Sequence, residues 1–168
     1  MSLSMYQASV PAFVATLKNL DAILEKAEIF AKERKIEESI LLNWRLAPDM
    51  FAFTRQIQIA TDFAKGTTAR LAGAEVPSYA DEEASFAALR QRIAKTVSFV
   101  QSFKPADIDG SEDRDITLKL RGEEVRFKGQ PYLLHFSLPN FYFHAATAYD
   151  LLRACGLGIG KRDFIGQI

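Results

Sequence analysis

Residues 50–71 read MFAFTRQIQIATDFAKGTTARL. Met50, Ile57, Ala64 and Leu71 recur every seven residues, and Phe53 and Ala60 fall three after the first two. That repeat is the seam by which one helix packs against others in an antiparallel bundle. The helix is expected to open at APDM, because Pro48 suits the first helical position and Asp49 suits the positive helix end. Thr54, Thr61 and Thr68 make a second heptad row. They read as small packing residues whose hydroxyls bond back to the preceding turn, with a polar channel as the other reading. Phe51, Ile59 and Phe63 widen the apolar surface beyond one stripe and point to a second partner, another subunit.

The pattern extends in both directions. From about Met5 to Arg34, apolar residues (Phe13, Leu17, Leu20, Leu24, Ala27, Ala31) recur at spacings of four and three, the stripe of an amphipathic helix. Pro11 is expected in an early turn or at a bend. The connector KIEESILLNWRLA is too apolar for a free linker, and Ile40, Leu41, Leu42 and Trp44 are expected to pack over the bundle end. Beyond the second helix, AGAEVPSYADEE reads as a turn and helix start with Asp81 as a candidate N-cap. A third helix carries Phe86, Leu89, Ile93, Val97, Val100 and Phe103 and stops before Pro105.

The character then changes. ITLKL and VRF alternate apolar and polar residues around RGEE, the pattern of a short β-hairpin. The preceding DIDGSEDRD is acidic, but its glycine is fourth from Asp107 where an EF-hand needs it sixth, and the closing Glu is absent. A fourth helical segment runs from near Pro131 to near Cys155, with Gly156 placed to cap it. Pro139 removes a donor and clashes with the carbonyl of His135, so a kink or a break into two pieces is expected. The tail ends in Phe164, Ile165 and Ile168, which suggests docking onto the bundle or a neighbour.

The 168 residues fit one domain, 1–168, with enough apolar content for a core that needs no disulfide or metal. Lys plus Arg equals Asp plus Glu, so no net charge draws the chain to nucleic acid or an anionic membrane. No apolar run reaches the roughly 20 residues needed to span a bilayer. A single cysteine, Cys155, and the lack of Lys or Arg before Lys18 make the cytoplasm the expected location. In the last helical turn Cys155 reads as packing rather than as a nucleophile.

LPNFYFHAATAYDLLRACG, residues 138–156, holds the candidate site. Asn140, His144, Thr147, Leu151 and Cys155 share one helical face, and the apolar members turn that face inward. The other histidine, His135, lies nine residues earlier, roughly half a rotation away on a continuous helix. No histidine precedes it, so a histidine-rich zinc or nickel site is excluded by count. A buried histidine satisfied by a neighbouring side chain is the structural reading of His144.

LAPDMFAFTRQIQIATDFAKG, PNFYFHAATAYDLLRACG and GIGKRDFIG together resemble the bacterial domain-of-unknown-function family numbered nineteen ninety-three, related to the DinB/YfiT-like group. The resemblance covers nearly the whole chain. It implies an all-α fold: an antiparallel four-helix bundle, usually dimeric, here with a small β-hairpin between the third and fourth helices. Members of the wider group often bind a divalent metal through one histidine in the second helix and an H-x-x-x-H pair in the fourth, and some are thiol S-transferases. His144, Arg153 and Gly156 match the fourth-helix layout. Asn140 stands where the first histidine of the pair would be, and the second helix has none, Gln56 being the nearest polar replacement.

Three functions are therefore open. One is a small-molecule-binding bundle with a degenerate metal site, in which Asn140, His144, Gln56 and Thr147 line a pocket and neither metal nor cofactor is held. Another is an enzyme of the metal-dependent hydrolase or thiol S-transferase type, with His144 as the catalytic base. The last is a structural homodimer with a closed pocket.

Overall fold

The computed structural model describes residues 3–120 and 122–166. Helix α1 spans Met5–Arg34, where the apolar stripe placed it. Ser4 caps it reciprocally with Gln7, and Lys35 closes it in the left-handed conformation at φ 55°. Pro11 lies inside the helix, not in a turn. It is exposed, so the carbonyl of Gln7 that loses its donor faces solvent.

Helix α2 (Glu38–Leu42) sits in the connector, which buries Leu41 and Leu42 but leaves Ile40 and Trp44 exposed. Helix α3 runs Phe53–Ala72 and so starts later than the Pro48–Asp49 signal implies. Residues 47–50 instead close a turn, Met50 N–H donating to the Ala47 carbonyl at 3.0 Å. The connector then captures the helix start: Phe53 N–H donates to the Trp44 carbonyl at 2.9 Å and the Thr54 hydroxyl to the Leu42 carbonyl at 3.0 Å. Met50 thus falls outside the seam, while Phe53, Ile57, Ala60, Ala64 and Leu71 are buried in it. Thr68 bonds back to Ala64 as expected of its row.

Helix α4 spans Phe86–Gln101 and is capped by Ser85, whose hydroxyl accepts from Ala88 N–H at 3.1 Å. Asp81 is not the cap. Its carboxylate lies 3.0 Å from the guanidinium of Arg92, and it also pairs with Arg55. Arg92 is buried and each of its N–H groups finds an acceptor. Nε donates to the Thr61 hydroxyl at 2.7 Å, Nη1 to Glu83 at 3.0 Å and the Ala80 carbonyl at 3.1 Å, and Nη2 to Asp62 at 2.9 Å and the Gln58 carbonyl at 3.5 Å. One side chain thereby ties α3, α4 and their connector together.

After α5 (Pro105–Ile108) come strands β1 (Asp115–Leu120) and β2 (Glu123–Lys128), an antiparallel hairpin with Ile116 opposite Phe127 and Leu118 opposite Val125. The fourth helical segment opens with α6 (Gly129–Pro131), widens to a π-helix over Tyr132–Ser137, and continues as α7 (Leu138–Ala154). The backbone stays right-handed helical from Pro131 through Leu138, so Pro139 produces a change of hydrogen-bond register rather than a break. Gly156 follows the end of α7 at φ 91°. Helix α8 (Lys161–Ile165) docks on α1, where the Asn19 amide donates to the Phe164 carbonyl at 3.0 Å. Phe164 packs on Tyr149, Ile165 stays exposed, and Ile168 lies outside the described residues.

The chain is therefore mostly helical with one small hairpin. The four long helices share a core, α1 packing along α4, α3 along both α4 and α7, and α7 also on α1. Phe141 is 0% exposed and meets Phe13 edge-on at 4.8 Å. Phe51 and Phe143 are 55% and 57% exposed. Among the described residues no helix is long and apolar enough to cross a membrane.

The Arg92 clamp makes a measurable demand. Arg92→Met fits the volume but removes the buried cation that Asp62, Asp81 and Glu83 surround and the donor to the Thr61 hydroxyl. It should lower unfolding free energy by about 2 to 4 kcal/mol in urea denaturation. A loss under about 0.5 kcal/mol would remove the clamp from this account.

Candidate functional site

His144 points from α7 towards α3 and is 9% exposed. Its Nδ1 lies 2.7 Å from Oε1 of Gln56. The Gln56 amide is oriented by its other end, where Nε2 donates to the Phe51 carbonyl at 3.0 Å. Oε1 is therefore an acceptor, so Nδ1 carries the proton and donates, leaving the lone pair on Nε2. Nε2 has no hydrogen-bond partner among the described residues, and it is not sealed from solvent. Burial, aided by the positive charge of Arg55, pushes the imidazole down to about 4. At neutral pH the ring is uncharged: a hydrogen-bond acceptor at Nε2 but a weak base.

Two aromatic rings hold the imidazole. Phe63 lies parallel to it at 6.2 Å between centroids, and Phe143 meets it edge-on at 5.2 Å. Phe63, expected to face another subunit, is half-buried and also packs on Phe136 at 5.8 Å.

Of the four expected site residues, the structure brings together His144 and Gln56. Asn140 turns onto its own helix, its amide donating to the Phe136 carbonyl at 2.7 Å. Thr147 likewise donates to the Phe143 carbonyl at 2.7 Å. Asn140 does border a cavity of about 790 Å³, but on the hairpin side of Phe63, together with Phe136, Leu120 and Val125. Burial raises the Cys155 thiol, which accords with a packing role.

The site does not fit a divalent metal of the kind the fourth-helix layout implies. Its only nitrogen ligand is Nε2 of His144, and the amides of Gln56 and Asn140 are each engaged elsewhere. Among the described residues no three His, Cys, Asp or Glu side chains converge.

Several contributors escaped the sequence reading. Arg55, which pairs with Asp81, acts on His144 through its positive charge. Thr67, buried beneath the π-helix, bonds to the Ser137 hydroxyl and lies 3.4 Å from the Tyr132 hydroxyl. One signal was present: Gly66 and Arg70 are four apart on α3, and a Cβ on Gly66 would sit 2.6 Å from Nη1 of Arg70. A separate cavity of about 360 Å³ lies by Tyr79, whose ring has Lys95 Nζ at 4.1 Å and Lys65 Nζ at 4.6 Å from its centroid.

A family model described as Domain of unknown function (DUF1993) matches residues 5–165. The chain is also similar to a crystal structure of a DinB family member protein from Shewanella denitrificans. The two are 39% identical with a TM-score of 0.87, and the match covers 97% of this chain and 92% of that one. No curated protein matches the chain.

The depressed His144 pKa has a signed consequence. An unfolded histidine takes up its proton near 6.5, the folded one only near 4. The unfolded state therefore binds more protons between these values, so this contribution to stability is present above pH 6.5 and is lost as pH falls through 4. Compared with His144→Phe, the wild type should lose roughly 2 to 3 kcal/mol of relative stability between pH 7 and pH 4. Parallel denaturant curves that stay equally spaced across this range would contradict the assignment.

Proposed function

The chain belongs to the DUF1993 family, a domain of unknown function related to the DinB family, and from that premise we propose that it is a small-molecule-binding helical bundle. In this reading α1, α3, α4 and α7 form an antiparallel four-helix bundle of the DinB/YfiT type. Its former metal position has become a polar contact. The supporting observation is the Gln56–His144 hydrogen bond between α3 and α7, which fixes a neutral imidazole and leaves Nε2 as an available acceptor.

Such a group suits a ligand hydroxyl or N–H better than it suits proton abstraction. A general base is most effective with a pKa near the working pH, and this imidazole titrates well below it. That observation favours binding over catalysis. The exposed Phe51 and Phe143 lie next to the pair, Phe51 through its carbonyl on Gln56 and Phe143 through its ring on His144. They support a homodimer whose contact closes over this end of the molecule.

A thermal-shift screen of metabolite-like compounds against wild type and His144→Phe tests the reading. A ligand present at roughly 100 times its Kd should raise the wild-type Tm by about 5 °C or more. The shift should vanish in the variant. Equal shifts in both proteins would place binding elsewhere and overturn the role of His144.

A further inference from the structure

The hairpin does not lie flat on the helices. Under its outer half runs the cavity of about 790 Å³ that Asn140 borders, and it adjoins a deeper chamber of about 230 Å³. Phe63, Phe136, Lys119 and Leu120 line both. One wall is aromatic: Phe136 lies 5.8 Å from Phe63, 5.9 Å from Tyr132 in a stacked pose and 5.2 Å from Phe127. The roof is aliphatic, from Leu120 and Val125, both only half-buried.

The deeper chamber is charged in a specific way. Asp62, Arg70 and Lys119 border it. Asp62 is committed to Arg92 and to Lys65, each at 2.9 Å. Arg70 and Lys119 have no carboxylate partner among the described residues, and Arg70 Nη1 instead donates to the Tyr132 hydroxyl at 3.2 Å. Gly66 leaves the guanidinium room, since a Cβ there would lie 2.6 Å from Nη1 of Arg70. A guanidinium with open N–H groups, beside aromatic rings, is the recognition chemistry of a carboxylate or sulfonate on a ring. Glu123, opposite Leu120 in the hairpin, borders the outer cavity and not the chamber that holds Arg70.

We propose that the cleft beneath the hairpin binds a planar aromatic acid, its ring against Phe63 and Phe136 and its anionic group on Arg70. The proposal deepens the small-molecule reading above and rests on it for the premise that the fold is a binder. It does not need His144 to touch the ligand.

Two dyes with the same aromatic body separate the contributions. 1-Anilinonaphthalene-8-sulfonate carries the anion and N-phenyl-1-naphthylamine lacks it. Fluorescence titration of the full chain should show saturable one-to-one binding of the sulfonate, with the neutral dye at least about tenfold weaker. Arg70→Gln, checked for native circular dichroism and Tm, should weaken the sulfonate about tenfold and leave the neutral dye unchanged. Val125→Glu, on the roof, should weaken both. Equal affinity for the two dyes, or a sulfonate titration indifferent to Arg70→Gln, overturns the proposal. Loss of binding in Phe143→Ser places the dye on the exposed aromatic patch and also overturns it. Sensitivity to His144→Phe without sensitivity to Arg70→Gln overturns it while leaving the His144 reading intact.

Discussion

Pro139 has no N–H to give, and the chain before it winds wider. The amide of Leu138 reaches back five residues to the Leu133 carbonyl rather than four. A wider turn moves the preceding carbonyls off the proline ring, which a regular α-helix at this point would not do. The cost of that irregularity is offset locally. The Asn140 side chain adds a donor to the Phe136 carbonyl, and the hydroxyls of Thr67, Ser137 and Tyr132 join beneath the turn. The π-helix sends Tyr132 and Phe136 towards the hairpin cleft, and the regular helix after it sends Phe141 into the core and His144 towards Gln56. His135 is exposed while His144 is buried, so one segment serves two directions.

Polar groups fix this architecture at two points that differ in kind. At Arg92 the charge is retained, because every N–H is met and three carboxylates surround the guanidinium. At His144 the charge is refused, because burial and Arg55 both oppose protonation and Gln56 offers only an amide oxygen. A buried ion needs opposite charge to stay ionised, and a buried group without one becomes neutral. The first arrangement stiffens the junction of α3 and α4. The second leaves one ring nitrogen uncommitted between α3 and α7, which is the condition for recognising something else.

Much of the fold was legible because its signals were local and periodic. The α1 boundaries follow from an unbroken apolar stripe ending in charge, and the hairpin from strict alternation. The start of α3 was not legible. Pro48 and Asp49 serve a turn as well as they serve a helix, and the choice was made by the carbonyl of Trp44, a partner the local sequence does not identify. Asp81 failed as a cap for a related reason: its carboxylate is drawn to Arg92, while the plain hydroxyl of Ser85 remains for the helix. At the site, the family resemblance, which pairs a second-helix position with His144, was what pointed to Gln56, and the two side chains do meet. A shared helical face was not enough for Asn140 and Thr147. Both occupy the expected face, but a short polar side chain inside a helix can bond to the carbonyl four residues back, and both do.

The hairpin explains why an open cleft and a closed core coexist in one small chain. Two strands alone are marginal in water, so the hairpin must borrow stability from what it touches. Near its base it does so fully: Ile116 and Leu118 are buried, and Gly129 passes so close to the Ser111 carbonyl that no side chain could stand there. Towards the tip, Leu120 and Val125 have only the cleft beneath them and stay half-exposed. Apolar area left uncovered there is unrealised stabilisation, about 25 cal/mol for each Å². A ring inserted between the tip and Phe136 would cover both surfaces at once. The hairpin is thus held firmly where it meets the helices and is incomplete where it overhangs them, and the incomplete part lies above the aromatic wall that the π-helix turns outward.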